Sequence, residues 1–138
     1  MEELKLMKAS SDDLDEVLAF AEKQMKPYSC SARTKLQIKM VTEEIFINIA
    51  RYAYEEEHSG PAVIRAEVEG DPPTLVLTFM DRGIPYNPLA KEDPDVTLTA
   101  RQRKIGGLGI YMVKKSVDDM QYEYREGQNV LTLRRRME

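Results

Sequence analysis

Two rhythms of apolar residues divide the chain. Leu4-Lys5-Leu6-Met7-Lys8 alternates apolar with polar side chains and predicts a short strand, placed at a sheet edge. Leu14, Val17, Leu18 and Ala21 then recur at helical spacing to about Met25, and Pro27 marks the exit. Ser11 is the expected N-cap, since Asp12 and Asp13 behind it suit the positive end of a helix dipole. Ser31 is the next expected cap. Beyond it Leu36, Met40, Val41, Ile45, Ile49 and Ala53 keep the helical spacing to about Glu56, with no glycine or proline to interrupt them. After Ser59-Gly60-Pro61 the rhythm changes. Residues 63–69 and 75–80 predict two strands of an antiparallel hairpin around the turn Gly70-Asp71-Pro72-Pro73. Residues 82–104 have weak periodicity and carry Pro85, Pro88 and Pro94; a loop this long in a compact domain usually covers or binds something. Gly106-Gly107-Leu108-Gly109 then opens a helical pattern through Ile110, Met112, Val113 and Val117. Strands at 120–125 and 130–135, joined by Glu126-Gly127-Gln128-Asn129, close the chain. One layer of sheet and one of helices gives an α+β class.

The length of 138 residues suits a single domain spanning 1–138. With 42% hydrophobic and 32% charged residues the composition is that of an ordinary globular protein. No apolar run approaches the ~20 residues that cross a membrane, and the first residues lack the basic start and apolar stretch of a signal peptide. The expectation is a cytoplasmic protein without membrane contact. One cysteine, Cys30, excludes an intrachain disulfide, and with one histidine, His58, a zinc site has almost no ligands. A net charge of −4 argues against broad nucleic-acid binding. The bases do cluster, as Arg101, Arg103 and Lys104, as Lys114-Lys115 and as Arg134-Arg135-Arg136. Such runs are either solvated surface or a complement to a phosphate site.

Three constellations carry chemistry. Glu44 and Asn48 lie four apart on one face of the long helix, either as a solvated pair or as oxygen ligands for a hydrated magnesium ion. Asp81-Arg82-Gly83 ends a strand. It is either turn chemistry or a carboxylate placed to accept a hydrogen bond from a ligand amine, with a glycine admitting the ligand to the backbone. Gly106-Gly107-Leu108-Gly109 is either a tight loop-to-helix corner or an anion site made of free amides and the helix dipole. It is neither a Walker loop nor a dinucleotide fingerprint, because no Gly-Lys-Ser/Thr follows and no strand precedes it. Tyr122 and Tyr124 alternate on a strand and read as sheet packing, Cys30 as a packed or partly exposed thiol.

The order of these motifs resembles the ATP-binding fold of the gyrase, MutL and histidine-kinase superfamily, and within it the small single-domain anti-sigma-factor serine/threonine kinases of bacteria. The segments that carry the resemblance are Glu44-Ile45-Phe46-Ile47-Asn48-Ile49-Ala50-Arg51-Tyr52-Ala53-Tyr54, Asp81-Arg82-Gly83-Ile84-Pro85-Tyr86-Asn87-Pro88 and Gly106-Gly107-Leu108-Gly109-Ile110-Tyr111-Met112-Val113. The likeness extends from about Leu4 to Arg135. It implies a two-layer sandwich whose mixed, largely antiparallel sheet is covered on one face by helices. It also implies ATP and Mg2+ as cofactors, with Asn48 on the magnesium ion and Glu44 as general base. Asp81 would receive the adenine amino group, and Gly83 would shape the adenine pocket. Gly107, Leu108 and Gly109 would line the phosphates, residues 84–104 would form an ATP lid, and Arg103 or Lys104 would reach the γ-phosphate from it. Thr132 would lie near the adenine. Tyr52 stands where relatives commonly carry histidine, and Asn87 where aspartate is frequent.

The function so implied is phosphorylation of an anti-sigma-factor antagonist, with a sigma factor as the competing partner in a switch and a homodimer as the assembly. A different class, a nucleotide-gated binding protein that transfers no phosphate, fits the same motifs. The ATPase half of a sensor histidine kinase fits less well, because His58 follows the long helix beside Glu55-Glu56-Glu57. Phosphoryl transfer is mostly positioning and charge neutralisation, so the shortage of cysteine and histidine nucleophiles is no obstacle.

Overall fold

A computed structural model describes residues 1–54, 59–90 and 108–137. Strand β1 (Glu2–Leu6) begins two residues earlier than its alternation predicts and ends before Met7, which is exposed. Opposite β2 it sets Leu4 against Ile64 and Leu6 against Ala62, while Glu3 reaches out to Arg65 on the outer face. Helix α1 (Leu14–Met25) is preceded by a 3-10 turn, Ser11–Asp13, and the cap is Ser10 rather than Ser11. Ser10 Oγ accepts from Asp12 N, and Asp13 Oδ2 accepts from Ser10 N at 3.0 Å, a reciprocal capping box that Ser11 is one residue too late to form.

Helix α2 (Ala32–Asn48) starts as expected at Ser31, whose Oγ accepts from Thr34 N at 3.0 Å. Its α-helical bonding stops at Asn48, and Ile49–Ala53 continues as one π-helical turn. The hairpin β2 (Ala62–Glu69) and β3 (Thr74–Asp81) lies where the turn residues predict. A 3-10 turn (Pro88–Ala90) follows, then helix α3 (Leu108–Ser116), β4 (Asp119–Arg125) and β5 (Gln128–Arg136).

The strand order is β1-β2-β3-β5-β4, and every pairing among the described residues is antiparallel, where a mixed, largely antiparallel sheet was expected. The connection from β1 to β2, through α1 and α2, returns the chain beside its start with reversed direction. The β4–β5 connection is a two-residue turn, Glu126-Gly127, both at positive φ (53° and 77°). Gln128 and Asn129, expected in the turn, therefore belong to β5, and Asn129 pairs with Asp81 across the β3–β5 ladder.

All three helices pack on one face. The core takes alternate strand residues there: Ile64 and Ala66 of β2, Leu75, Leu77 and Phe79 of β3, Leu131 and Leu133 of β5. Val17, Met25, Ile45, Phe46 and Val113 close over them from the helices. Phe46 is fully buried, and removing a ring from such a position costs about 3–5 kcal/mol. Cys30 is half-buried against this core. The fold class is thus the expected α+β sandwich. No helix among the described residues is long and apolar enough to cross a membrane.

Candidate nucleotide-binding site

In the last turns of α2 the helical period puts Glu44 and Asn48 on one side, both half-buried. The Asn48 amide nitrogen reaches Glu44 Oε1 in a long contact of 3.4 Å, which leaves the Asn48 oxygen turned to other partners. Helix α3 packs on α2 with Gly109 directly against this carboxylate. A Cβ at Gly109 would come within 1.9 Å of Glu44 Oε1, so any side chain there would displace the carboxylate from its present place.

Nine residues past Glu44, the π-turn meets the end of β3. The Ala53 carbonyl accepts from Ile84 N at 2.9 Å, and a Cβ at Gly83 would fall 2.0 Å from that same oxygen. The Tyr54 hydroxyl accepts from Arg82 N at 2.7 Å and donates to the Pro61 carbonyl. Burial pushes this phenol above its ordinary range, which keeps it protonated and donating. The Asp81-Arg82-Gly83-Ile84 segment is therefore clamped to the end of the long helix by its own backbone.

Asp81 is 7% exposed. Its Oδ1 accepts from Gly83 N and from Asn129 Nδ2, each at 2.9 Å, and among the described residues no partner meets Oδ2. Burial pushes this carboxyl above the usual range; the two donors pull it partly back. Asn129 Nδ2 also donates to the Ile84 carbonyl at 2.9 Å, while its Oδ1 accepts from Tyr86 N at 3.0 Å and from the Tyr122 hydroxyl.

Between the helix side and the Asp81 side lies a cavity of about 670 Å³, bounded by Glu44, Asn48, Asp81, Gly109, Tyr122 and Asn129 together with apolar side chains such as Phe79 and Leu131. That volume is in the range of small-molecule sites, as is an apolar wall carrying a few directed polar groups. The residues fit a nucleotide. An unpartnered carboxylate oxygen on a buried acid suits an exocyclic amine, apolar walls suit a flat base, and the Asn48 amide oxygen suits a hard cation. No group of three or more His, Cys, Asp or Glu side chains among the described residues would hold a metal ion by itself. A cation here would need oxygens from its own waters or from phosphates.

The structure thus gathers Glu44, Asn48, Asp81 and Gly109 around one cavity, with Tyr52 exposed on its rim and Gly83 beside it, packed against the Ala53 backbone. It does not bring Thr132 there. Thr132 sits between Leu131 and Leu133, which face the core, so its side chain lies on the opposite face of the sheet, paired with Thr78. Leu108 is the first residue of α3. Lys104, Arg103, Gly106 and Gly107, most of the segment 84–104, and His58 lie outside the described residues. Asn129 and Tyr122 are the wall residues that sequence reasoning missed. The available signal was the alternation Asn129, Leu131, Leu133, which puts a polar side chain in an inward-facing row.

Several known proteins share this architecture. Serine/threonine-protein kinase BtrW of Bordetella bronchiseptica is 26% identical over 103 residues, 75% of this chain and 71% of that one. The RsbU and RsbW domains of Rv1364c from Mycobacterium tuberculosis match with a TM-score of 0.66 at 17% identity, over 99% of this chain. This chain spans only 33% of that solved chain. The histidine kinase AdeS of Acinetobacter baumannii gives a TM-score of 0.56, also at 17% identity, covering 99% of this chain and 69% of that one. At such identities the two structures speak for the fold alone. The family of histidine kinase-like ATPase domains matches residues 7–135, a range that includes all three motifs and every wall of the cavity. The chain belongs to the histidine kinase-like ATPase domain family.

Proposed function

We propose that the chain is an ATP-dependent protein serine/threonine kinase of the anti-sigma-factor type. In this reading it phosphorylates a small anti-sigma-factor antagonist and, as a homodimer, binds a sigma factor when that antagonist is not engaged. The observation that carries it is the placement of Glu44, a half-buried carboxylate on the cavity wall beside Asn48 and Gly109, at the other end of the site from Asp81. A site for nucleotide binding alone has no use for a carboxylate there, since it would repel phosphates. The name of the relative BtrW, a serine/threonine-protein kinase at 26% identity, supports the same reading.

Mg-ATP supplies the transferable phosphoryl group. Asp81 Oδ2 accepts the adenine amino group, and Gly83 keeps the base close to the backbone. The Asn48 amide oxygen would hold a magnesium ion, which would neutralise phosphate charge there. The Gly109 amide, with those of Gly107 and Leu108, would hold the phosphate oxygens, and Lys104 would neutralise charge at the γ-phosphate. Glu44 receives at its carboxylate the proton of the attacking serine or threonine hydroxyl, a contribution that in general-base catalysis is worth roughly 10²–10⁴-fold.

The test is transfer of labelled γ-phosphate from Mg-ATP into soluble extract of the encoding organism, with wild type beside Glu44→Gln. A labelled small protein present with wild type and absent with the variant, both binding ATP, supports the kinase. Tight ATP binding with no labelled protein in either sample sinks it and leaves a nucleotide-gated binder.

A further inference from the structure

Asn129 is 7% exposed, and its amide makes four hydrogen bonds, to Asp81 Oδ1, the Ile84 carbonyl, Tyr86 N and the Tyr122 hydroxyl. A primary amide has two N–H donors and two acceptor lone pairs, so all of its capacity is used within the protein. Asn129 therefore has nothing left with which to touch a ligand. Its orientation is also fixed. Turned over, its oxygen would face the Asp81 carboxylate and the Ile84 carbonyl, and its nitrogen would face the Tyr86 N–H.

What this residue controls is Asp81. With Gly83 N, it saturates Oδ1 and stops the carboxylate from rotating, so that Oδ2 alone is offered to the cavity. It also ties the segment Ile84–Tyr86 to the same carboxylate. We propose that Asn129 is a positioning residue that sets base selectivity, holding Asp81 as a fixed acceptor that takes a base edge bearing an amino group and rejects one bearing a carbonyl. This rests on the nucleotide-binding reading of the cavity. An ionised carboxylate only accepts; a carboxyl that takes up a proton can donate as well, and it then tolerates either edge.

The groups that face Asp81 are few. From β5 comes the neutral donor of Asn129, and from the loop after β3 that of Gly83. The phenols of Tyr54 and Tyr122 approach from the π-turn and β4, the guanidinium of Arg82 is adjacent in sequence, and among the described residues no ion pair reaches the carboxylate. Losing the Asn129 donor removes one of the two contacts that favour the ionised form. ATP binding in the variant should then fail at a higher pH than in wild type.

The experiment measures dissociation constants for ATP and ITP, which carries a carbonyl where adenosine carries its amine, from neutral to mildly acidic pH. Wild type is compared with Asn129→Leu and Tyr122→Phe. Val17→Ala, a core truncation in α1 away from the cavity, serves as a stability control. We expect the ATP-over-ITP preference to fall roughly tenfold or more in Asn129→Leu, the scale of one hydrogen bond to a charged group. The pH midpoint of ATP binding should move up. Tyr122→Phe, which removes the donor to Asn129 Oδ1 together with the hydroxyl's contact to the Tyr86 backbone, should shift both in the same direction by less, and it carries the test if Asn129→Leu does not fold. Val17→Ala should change neither. Preference and midpoint left at wild-type values in the folded Asn129 or Tyr122 variants overturn the inference, as does an equal weakening of both nucleotides. Wild type that binds neither nucleotide overturns the nucleotide reading itself, and this inference with it.

Discussion

Replacing Asp81 by Asn should move stability and nucleotide affinity in opposite directions. Asp81 is 7% exposed and its carboxyl is raised by burial, so the folded protein favours its protonated form. The sign follows from linkage. A raised carboxyl lends stability that is complete below the ordinary carboxylate range and is lost as pH rises through the folded value. At neutral pH the fold therefore carries an ionised group it would rather hold neutral. Asparagine is neutral at every pH, and its Oδ1 can still accept from Gly83 N and Asn129 Nδ2. Its other atom becomes a donor where Oδ2 was an acceptor, facing the donor edge of adenine. The variant loses a hydrogen bond to a charged group and gains an unpaired donor, about 2–3 kcal/mol, or roughly 30- to 150-fold in ATP affinity. Calorimetric titration with ATP gives the affinity, and urea unfolding at several pH values gives the stability. The variant should unfold no more easily than wild type at neutral pH and should lack wild type's loss of stability on leaving the acidic range. A variant that is less stable at neutral pH, or one that binds ATP within about twofold of wild type, would refute the reasoning.

Three further substitutions separate the parts of the site. Gly83→Ala places a Cβ 2.0 Å from the Ala53 carbonyl, a backbone atom that cannot swing away. It should destabilise by about 1–3 kcal/mol in urea unfolding, and a midpoint equal to wild type would mean the clamp is loose. Gly109→Ala meets the Glu44 carboxylate at 1.9 Å, a flexible side-chain end. The melting temperature should hardly change while phosphoryl transfer drops by roughly a hundredfold, the scale of a misplaced catalytic group; transfer at the wild-type rate would remove Glu44 from the chemistry. Thr132→Val, on the far face of the sheet, should leave ATP affinity within about twofold of wild type, and a larger change in titration would mean the cavity senses that face.

The elements were legible because their apolar periods are strong, and their ends were not because ends are decided by single hydrogen bonds. Ser10 and Ser11 are both good caps by residue type; the Asp13 carboxylate selects Ser10 by reaching back to its N–H. The same holds in the site. Glu44, Asn48, Asp81 and Gly83 are visible as motifs, since each lies a few residues from its neighbour in sequence. Asn129 was invisible for the opposite reason, its four partners lying between 7 and 48 residues away. One local detail decided it. Whether Asn129 is a turn residue or a strand residue depends on the hairpin closing in two residues, which the positive φ of Glu126 and Gly127 achieves. Thr132 entered through the family resemblance alone, and the alternation along β5 puts it on the far face of the sheet.

The long helix serves both ends of the site, and the change in its winding is what permits this. Glu44 and Asn48 stand on its α-helical part, while Ala53 and Tyr54 grip the Asp81 loop from just past its end. From Glu44 to Ala53 is roughly 13 Å at 1.5 Å per residue. A helix that ended in an ordinary cap would satisfy its last carbonyls on its own following residues. Here the π-turn closes the helix with wider bonding, and the chain leaves at Tyr54 in an extended conformation. The Ala53 carbonyl is thereby free to accept from Ile84 rather than from its own chain. The same extended exit swings the Tyr54 ring under Gly60, where a Cβ would collide with it, and brings its hydroxyl between Arg82 and Pro61. The Asp81 side and the Glu44 side of the cavity are thus tied to a single helix, so a shift of this helix moves Glu44 and Asp81 together rather than apart.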